Sequence, residues 1–335
     1  MSRISLERVA GRLIAMVMAS APAAVATAGD LVKPDGFPSR TITMIVPFGP
    51  GGGSDQVARA MSREFEEMMG VGIQIVNRPG VGGLASLPDF MVAPADGYTI
   101  LQHTDGFVTG FAAGRSQVEP GVQALPLCIT QVAFSMLMIN PEETRYSDWD
   151  SLLAYARHAD APLRVATSSG VGSHEHTSIV QISEAAGIEF EVVPFGDPGE
   201  RYASIIGGHM DVLFDQPGST ITFLREGQIK PVLVLLRETP DVFEGVPSLA
   251  DAGLDFEPTV KTRGFWVRAD TPEPIRAYLA EACRRGYETD RYLAFNEETY
   301  THLVRSFYDA DEALELSLGM LETYQTMFRQ LGVTQ

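Results

Sequence analysis

The chain has 335 residues, 45% of them hydrophobic and 20% charged, and its 43 acidic against 25 basic side chains give a formal net charge of −18. These proportions describe a globular protein of one large or two smaller domains and exclude the disordered and integral-membrane classes. No run of Lys and Arg forms a basic patch, so nucleic acid is excluded as a partner.

Residues 1–28 read as a signal peptide. Arg3, Arg8 and Arg12 precede an apolar stretch from Leu13 to about Ala24, and Ala24-x-Ala26 and Ala26-x-Ala28 both fit a cleavage site. The apolar stretch is shorter than the roughly 20 residues that span a bilayer. With no cysteine near the cleavage site to carry a lipid, the expectation is a free periplasmic protein. The competing reading is an amphipathic cytoplasmic helix.

The first strand is expected over "ITMIVPF" (42–48), followed by the loop "GPGGGSD" and a helix carrying Val57, Met61 and Phe65 at helical spacing, with Gly70 as its stop. "IQIVN" (73–77) and "GYTILQHT" (97–104) are further strands with a helix between them. "LPLCITQVAFSMLMIN" reads as one buried strand containing Cys128. Cys283 falls in a helix far along the chain, so the two cysteines are expected as buried free thiols, with one disulfide in an exported chain as the alternative. "PLRVATS" (162–168) is followed by a second glycine loop, "SSGVGSHEH", and a helix ending at Gly187. "FEVVPF", "MDVLFD" and "IKPVLVLL" are strands, and the chain is largely helical after about residue 270. Strands alternating with helices give an α/β fold with mainly parallel sheets flanked by helices, in two similar units.

Each unit places a glycine-rich loop between its first strand and first helix, where open α/β sheets bind ligands. Glycines let a guest approach bare backbone, and the helix start offers unpaired N–H groups and partial positive charge, so a carboxylate or other anion fits there. Ser54 or Asp55 would cap the first helix. Asp55 would repel an anion unless turned toward backbone N–H groups or a bridging water.

Three enzyme signatures are absent or incomplete. "GPGGGSDQ" lacks the lysine of a nucleotide-binding loop. Neither glycine loop reads G-x-S-x-G, and a Ser173–His176 pair has no evident third member. His174 and His176, two residues apart at a helix start, do not share a face, so no metal is expected. No cofactor is expected either.

The segments "VPFGPGGGSD" (46–55), "VNRPGVGG" (76–83), "VAPADGYTI" (92–100), "GVGSHEH" (170–176), "VPF" (193–195), "GGHMD" (207–211), "VPSLADAG" (246–253) and "TPEP" (271–274) occur in order from residue 41 to about 275. In these segments the chain resembles the Bug family, the extracytoplasmic solute receptors of tripartite tricarboxylate transporters. The resemblance implies a monomeric two-domain Venus-flytrap receptor of the periplasmic-binding-protein kind, without catalytic activity. Domain 1 would span 41–138 plus about 266–335, and domain 2 would span 139–265. The implied ligand is a small organic acid, and the implied partners are the transporter's membrane subunits. Carried over, the first loop is Gly51, Gly52, Ser54 and Asp55, and the second is Ser168, Gly170, Gly172 and Ser173. Thr104, Phe195 and Asp215 would line the cleft. Phe48 would line it or pack in the core, and His176 would pack its own loop.

The chain departs from the family pattern at three charged positions. Asp105 and Asp197 add acid near the cleft, and Arg263 in "KTRGFWV" can hold a carboxylate by two prongs or pair with an acid at the hinge. Two acids against one base would leave a net negative lining, which favours monocarboxylates or zwitterions over citrate. The competing functions are an exported α/β hydrolase or lyase, and a ligand sensor without a transport partner.

Overall fold

The computed structural model describes residues 31–331, so the expected signal peptide lies outside the described residues. Apolar runs bounded by turn residues form β1 (Ile42–Val46), β2 (Ile73–Asn77), β3 (Thr99–Thr104), β4 (Ala124–Ala133), β5 (Met136–Ile139), β6 (Leu163–Thr167), β7 (Phe190–Pro194), β8 (Val212–Asp215), β9 (Lys230–Val234) and β10 (Lys261–Arg268). The α-helices are α1 (Gly53–Met69), α2 (Leu87–Val92), α3 (Gly106–Ala112), α4 (Trp149–Ala156), α5 (His174–Ala186), α6 (Pro198–Ile206), α7 (Ile221–Arg225), α8 (Glu273–Tyr287), α9 (Asp290–Glu298) and α10 (Ala310–Leu331). No helix among the described residues is long and apolar enough to cross a membrane.

The strands form two five-stranded sheets, ordered β2-β1-β3-β10-β4 and β7-β6-β8-β5-β9. In each, the strands of the β-α-β alternation pair parallel, and one inserted strand, β10 or β5, runs antiparallel to both neighbours. Those inserted strands are where the chain crosses between sheets, so each sheet is mixed. The apolar run expected as a single strand is two, β4 in the first sheet and β5 in the second, separated at Phe134 and Ser135. The 138/139 and 265/266 boundaries expected from the sequence would divide β5 and β10. β5 lies wholly in the second sheet, and β10 wholly in the first.

The first core packs Val57, Met61 and Phe65 of α1 and Leu279 and Ala282 of α8 against Met44, Ile100 and Phe265 of the sheet. These residues are fully buried, and each of the larger side chains among them contributes roughly 1.5–3 kcal/mol on removal from water. Gly70 and Gly187 end α1 and α5 in the left-handed conformation, as their sequence positions suggest. The cysteine expectation is corrected. Cys128 on β4 and Cys283 on α8 form a disulfide with Cα atoms 6.4 Å apart, because α8 packs back onto the sheet that holds β4.

Candidate ligand-binding site

The loop after β1 is fastened from behind. Gly51, with φ +81°, donates its N–H to Asp55 Oδ2 at 3.0 Å. Asp55 also accepts from Arg59 Nε at 2.7 Å and Asn77 Nδ2 at 3.1 Å, while Asn77 donates to the Phe48 carbonyl at 2.8 Å. Burial pushes the Asp55 carboxyl up, but the hydrogen bonds from Arg59, Gly51 and Asn77 outweigh it and hold it below the usual range. Asp55 is thus turned onto the backbone and its neighbours. The expected side-chain cap is also corrected. The N-cap of α1 is Gly52, with no side-chain cap bond, so Gly52, Gly53 and Ser54 present bare backbone at the helix start.

The second loop is fastened by Glu175, in the first turn of α5. Its carboxylate accepts from Ser168 Oγ at 2.5 Å and from the Ser169 N–H at 2.8 Å. Ser173 is the N-cap of α5 and accepts from the His176 backbone N–H at 3.2 Å. Its hydroxyl meets that backbone, not the His176 ring. The Gly172 carbonyl accepts from Arg115 Nη2, a bond between the loop and the segment after α3.

Between the two loops lies a narrow, partly open pocket with a cavity volume of ≈ 20 Å³. Of the expected residues, Phe48, Gly52, Ser54, Ser168, Asp215 and Arg263 line it, together with Gly53, Gly196, Pro198, Arg201, Gln216, Ser219 and Lys261. Gly51 and Asp55 stand behind the first loop. Gly170, Gly172 and Ser173 belong to the second loop but are not on the lining. The Thr104 hydroxyl accepts from the Gly106 N–H, and Phe195 packs against a core of the second sheet.

Three buried cations reach this space. Arg201 donates to Asp215 at 2.7 Å, and the Tyr202 hydroxyl donates to the same carboxylate at 3.1 Å. Lys261 Nζ stands 3.6 Å from Asp105 and 3.5 Å from Glu175. Arg263 donates to Gln131 Oε1, to Gln216 Oε1 at 3.0 Å and to Ser219 Oγ at 3.2 Å. Burial lowers the Arg263 pKa, with the carboxylates of Asp215 and Asp105 acting the other way. The expected net negative lining is therefore overturned. Asp105 sits behind Lys261, Asp197 is an exposed cap that accepts from the Glu200 N–H, and the lining carries three bases and one acid.

Lys261 was readable from the sequence, because it lies two positions before Arg263 on one strand and shares its face. Gln216 and Ser219 directly follow the expected Asp215. Arg201 gave no signal beyond an amphipathic helix. Among the described residues, no group of three or more His, Cys, Asp or Glu side chains is placed to hold a metal ion.

Residues 57–304 match the family described as tripartite tricarboxylate transporter family receptor. The chain is 27% identical over 239 residues to protein BugT of Bordetella pertussis, covering 68% of this chain and 71% of BugT. It superposes on the periplasmic binding protein BugD with a TM-score of 0.79 at 18% identity, over 89% of this chain and 99% of BugD. It superposes on MatC from Rhodopseudomonas palustris, solved with bound malate, with a TM-score of 0.77 at 24% identity, over 87% of this chain and 99% of MatC. The two-sheet fold is that of the periplasmic binding proteins.

Proposed function

The chain belongs to the tripartite tricarboxylate transporter receptor family, and on that premise we propose that it captures a small organic acid between its two sheets and holds it by carboxylate. One observation carries the reading: the pocket joins the bare start of α1 to three basic side chains, with residues from both halves on its wall. A carboxylate there meets backbone donors, the positive end of a 17-residue helix and guanidinium groups together. Such a lining binds and orients an anion. MatC, with its bound malate, is a similar protein holding an organic acid. Export through the leader expected at residues 1–28 and delivery to transporter membrane subunits complete the reading.

The test is a melting screen of the mature protein against malate, citrate, succinate, butyrate and uncharged sugars, with each compound followed by NMR for turnover. A bound acid at 100 times its Kd adds about 2.7 kcal/mol. The expected result is stabilisation by at least one carboxylate, with that compound unchanged. Stabilisation by sugars alone, or conversion of the bound acid, would overturn the proposal.

A further inference from the structure

The three buried cations of the pocket are not equally matched. Arg201 has the Asp215 carboxylate. Lys261 stands between two carboxylates, Asp105 and Glu175, and Asp105 Oδ2 has no hydrogen-bond partner. Arg263, only 4% exposed, has no carboxylate within 4 Å among the described residues. Its partners Gln131, Gln216 and Ser219 are all neutral, and its Nε–H is unpartnered. Its guanidinium also abuts Gly53, the first residue of α1, so closely that a Cβ there would overlap it. A buried cation with no paired carboxylate therefore touches the start of α1, where the one acid of the first turn, Asp55, is turned back onto its own loop. Cation and helix start are each unfavourable alone, and a carboxylate at that point satisfies both.

Around Lys261 the balance is reversed, with two acids against one base. A second carboxylate placed there would meet surplus negative charge in a buried setting. We propose that Arg263 is the specificity-determining residue of this site, pairing its charge with one carboxylate of the guest, and that the site selects acids with one carboxylate over diacids of the same length. This rests on the carboxylate-receptor reading and refines it. The selection does not come from acids on the lining. It comes from which cation is left unmatched.

A charge series tests it. Diacids of three to six carbons are compared by calorimetry with their monoamides and diamides, which keep the shape and remove one or two charges. Binding is measured for the wild type, Arg263→Gln and Arg263→Lys, with the melting temperature of each unliganded variant as a folding control. In the wild type, a monoamide is expected to bind more tightly than both its diacid and its diamide. In Arg263→Gln, the preference for monoamide over diamide should shrink at least tenfold. Arg263→Lys should lose part of it, because the planar guanidinium held by Gln131, Gln216 and Ser219 is gone and the charge remains. A diacid binding more tightly than its own monoamide in the wild type overturns the selection. A monoamide-to-diamide ratio unchanged in Arg263→Gln overturns the seat. Both outcomes leave the receptor reading standing, whereas no binding of any acid in the series overturns both.

Discussion

At the scale of single residues, the two glycine loops use their small residues differently. Gly52 has φ −78° and ψ 168°, a conformation open to any residue, so its need for glycine is spatial. A Cβ there would stand 2.8 Å from Pro198 Cγ, on the far side of the cleft. A valine at this position would act as a prop between the halves. Gly52→Val is therefore expected to leave the melting temperature of the unliganded protein within a few degrees while removing the shift produced by a stabilising carboxylate. Ser173 presents the opposite case. It caps α5 and does not line the pocket, so Ser173→Ala should cost about 1 kcal/mol of stability, a fall of about 2–4 °C, with a smaller effect on binding than Gly52→Val. A Ser173→Ala protein that melts normally but binds far more weakly would show that the hydroxyl reaches the guest.

At the scale of elements, the disulfide joins a strand and a helix that the chain separates by 155 residues. Both cysteines are fully buried in the first core, so the link stabilises that core chiefly by restricting the unfolded chain. Removing it is expected to cost about 2–5 kcal/mol. Denaturant unfolding of a Cys128→Ala, Cys283→Ala double variant checks this, and an unchanged midpoint would mean the crosslink adds nothing to stability. No spacing rule could have found this pair, because its closeness depends on β10 returning to the first sheet and bringing α8 with it. The same return explains what else was hard to read. The parallel strands were legible because each apolar run stops at a glycine loop, as at Pro47–Gly53 and Ser168–Gly172. The division between β4 and β5 was not, since Phe134 and Ser135 interrupt neither the apolar run nor its burial. The loops were legible for the same reason as the strands. The charge of the deep wall was not, because a sequence shows Asp105 and Asp197 without showing that one stands behind Lys261 and the other caps α6.

At the scale of the whole molecule, the two halves are joined at places that share one side chain. His174, fully buried, shares hydrogen bonds with Ser135 Oγ at 3.1 Å and Thr259 Oγ1 at 2.8 Å. Ser135 lies in the first crossing between the sheets, and Thr259 in the segment leading back to β10. Gln216 Nε2 donates to Ser135 Oγ at 3.2 Å, and its Oε1 accepts from Arg263, so this bonded chain continues from the crossings to the pocket. Burial, with Lys261 and Arg263 acting in the same direction and Glu175 opposing, pushes the His174 pKa down to about 3, and burial pushes that of His103 down to about 4. Both rings are therefore neutral in the folded protein at pH 7 and near 6.5 when unfolded. Their contribution is complete above pH 6.5 and is lost as pH falls toward the folded values, because the unfolded chain then binds more protons. Each ring can cost at most about 1.4 kcal/mol per pH unit across that window. Burial pushes His176 down as well, so it adds to the same fall, while the Asp55, Asp211 and Glu281 carboxyls, held below their ordinary range, act mainly at lower pH. Denaturant unfolding at pH 7, 6 and 5 should thus show falling stability, and His174→Gln, which keeps a polar side chain but cannot titrate, should flatten the fall below pH 6.5. A slope in His174→Gln equal to that of the wild type would show that this ring does not sit neutral between the two crossings.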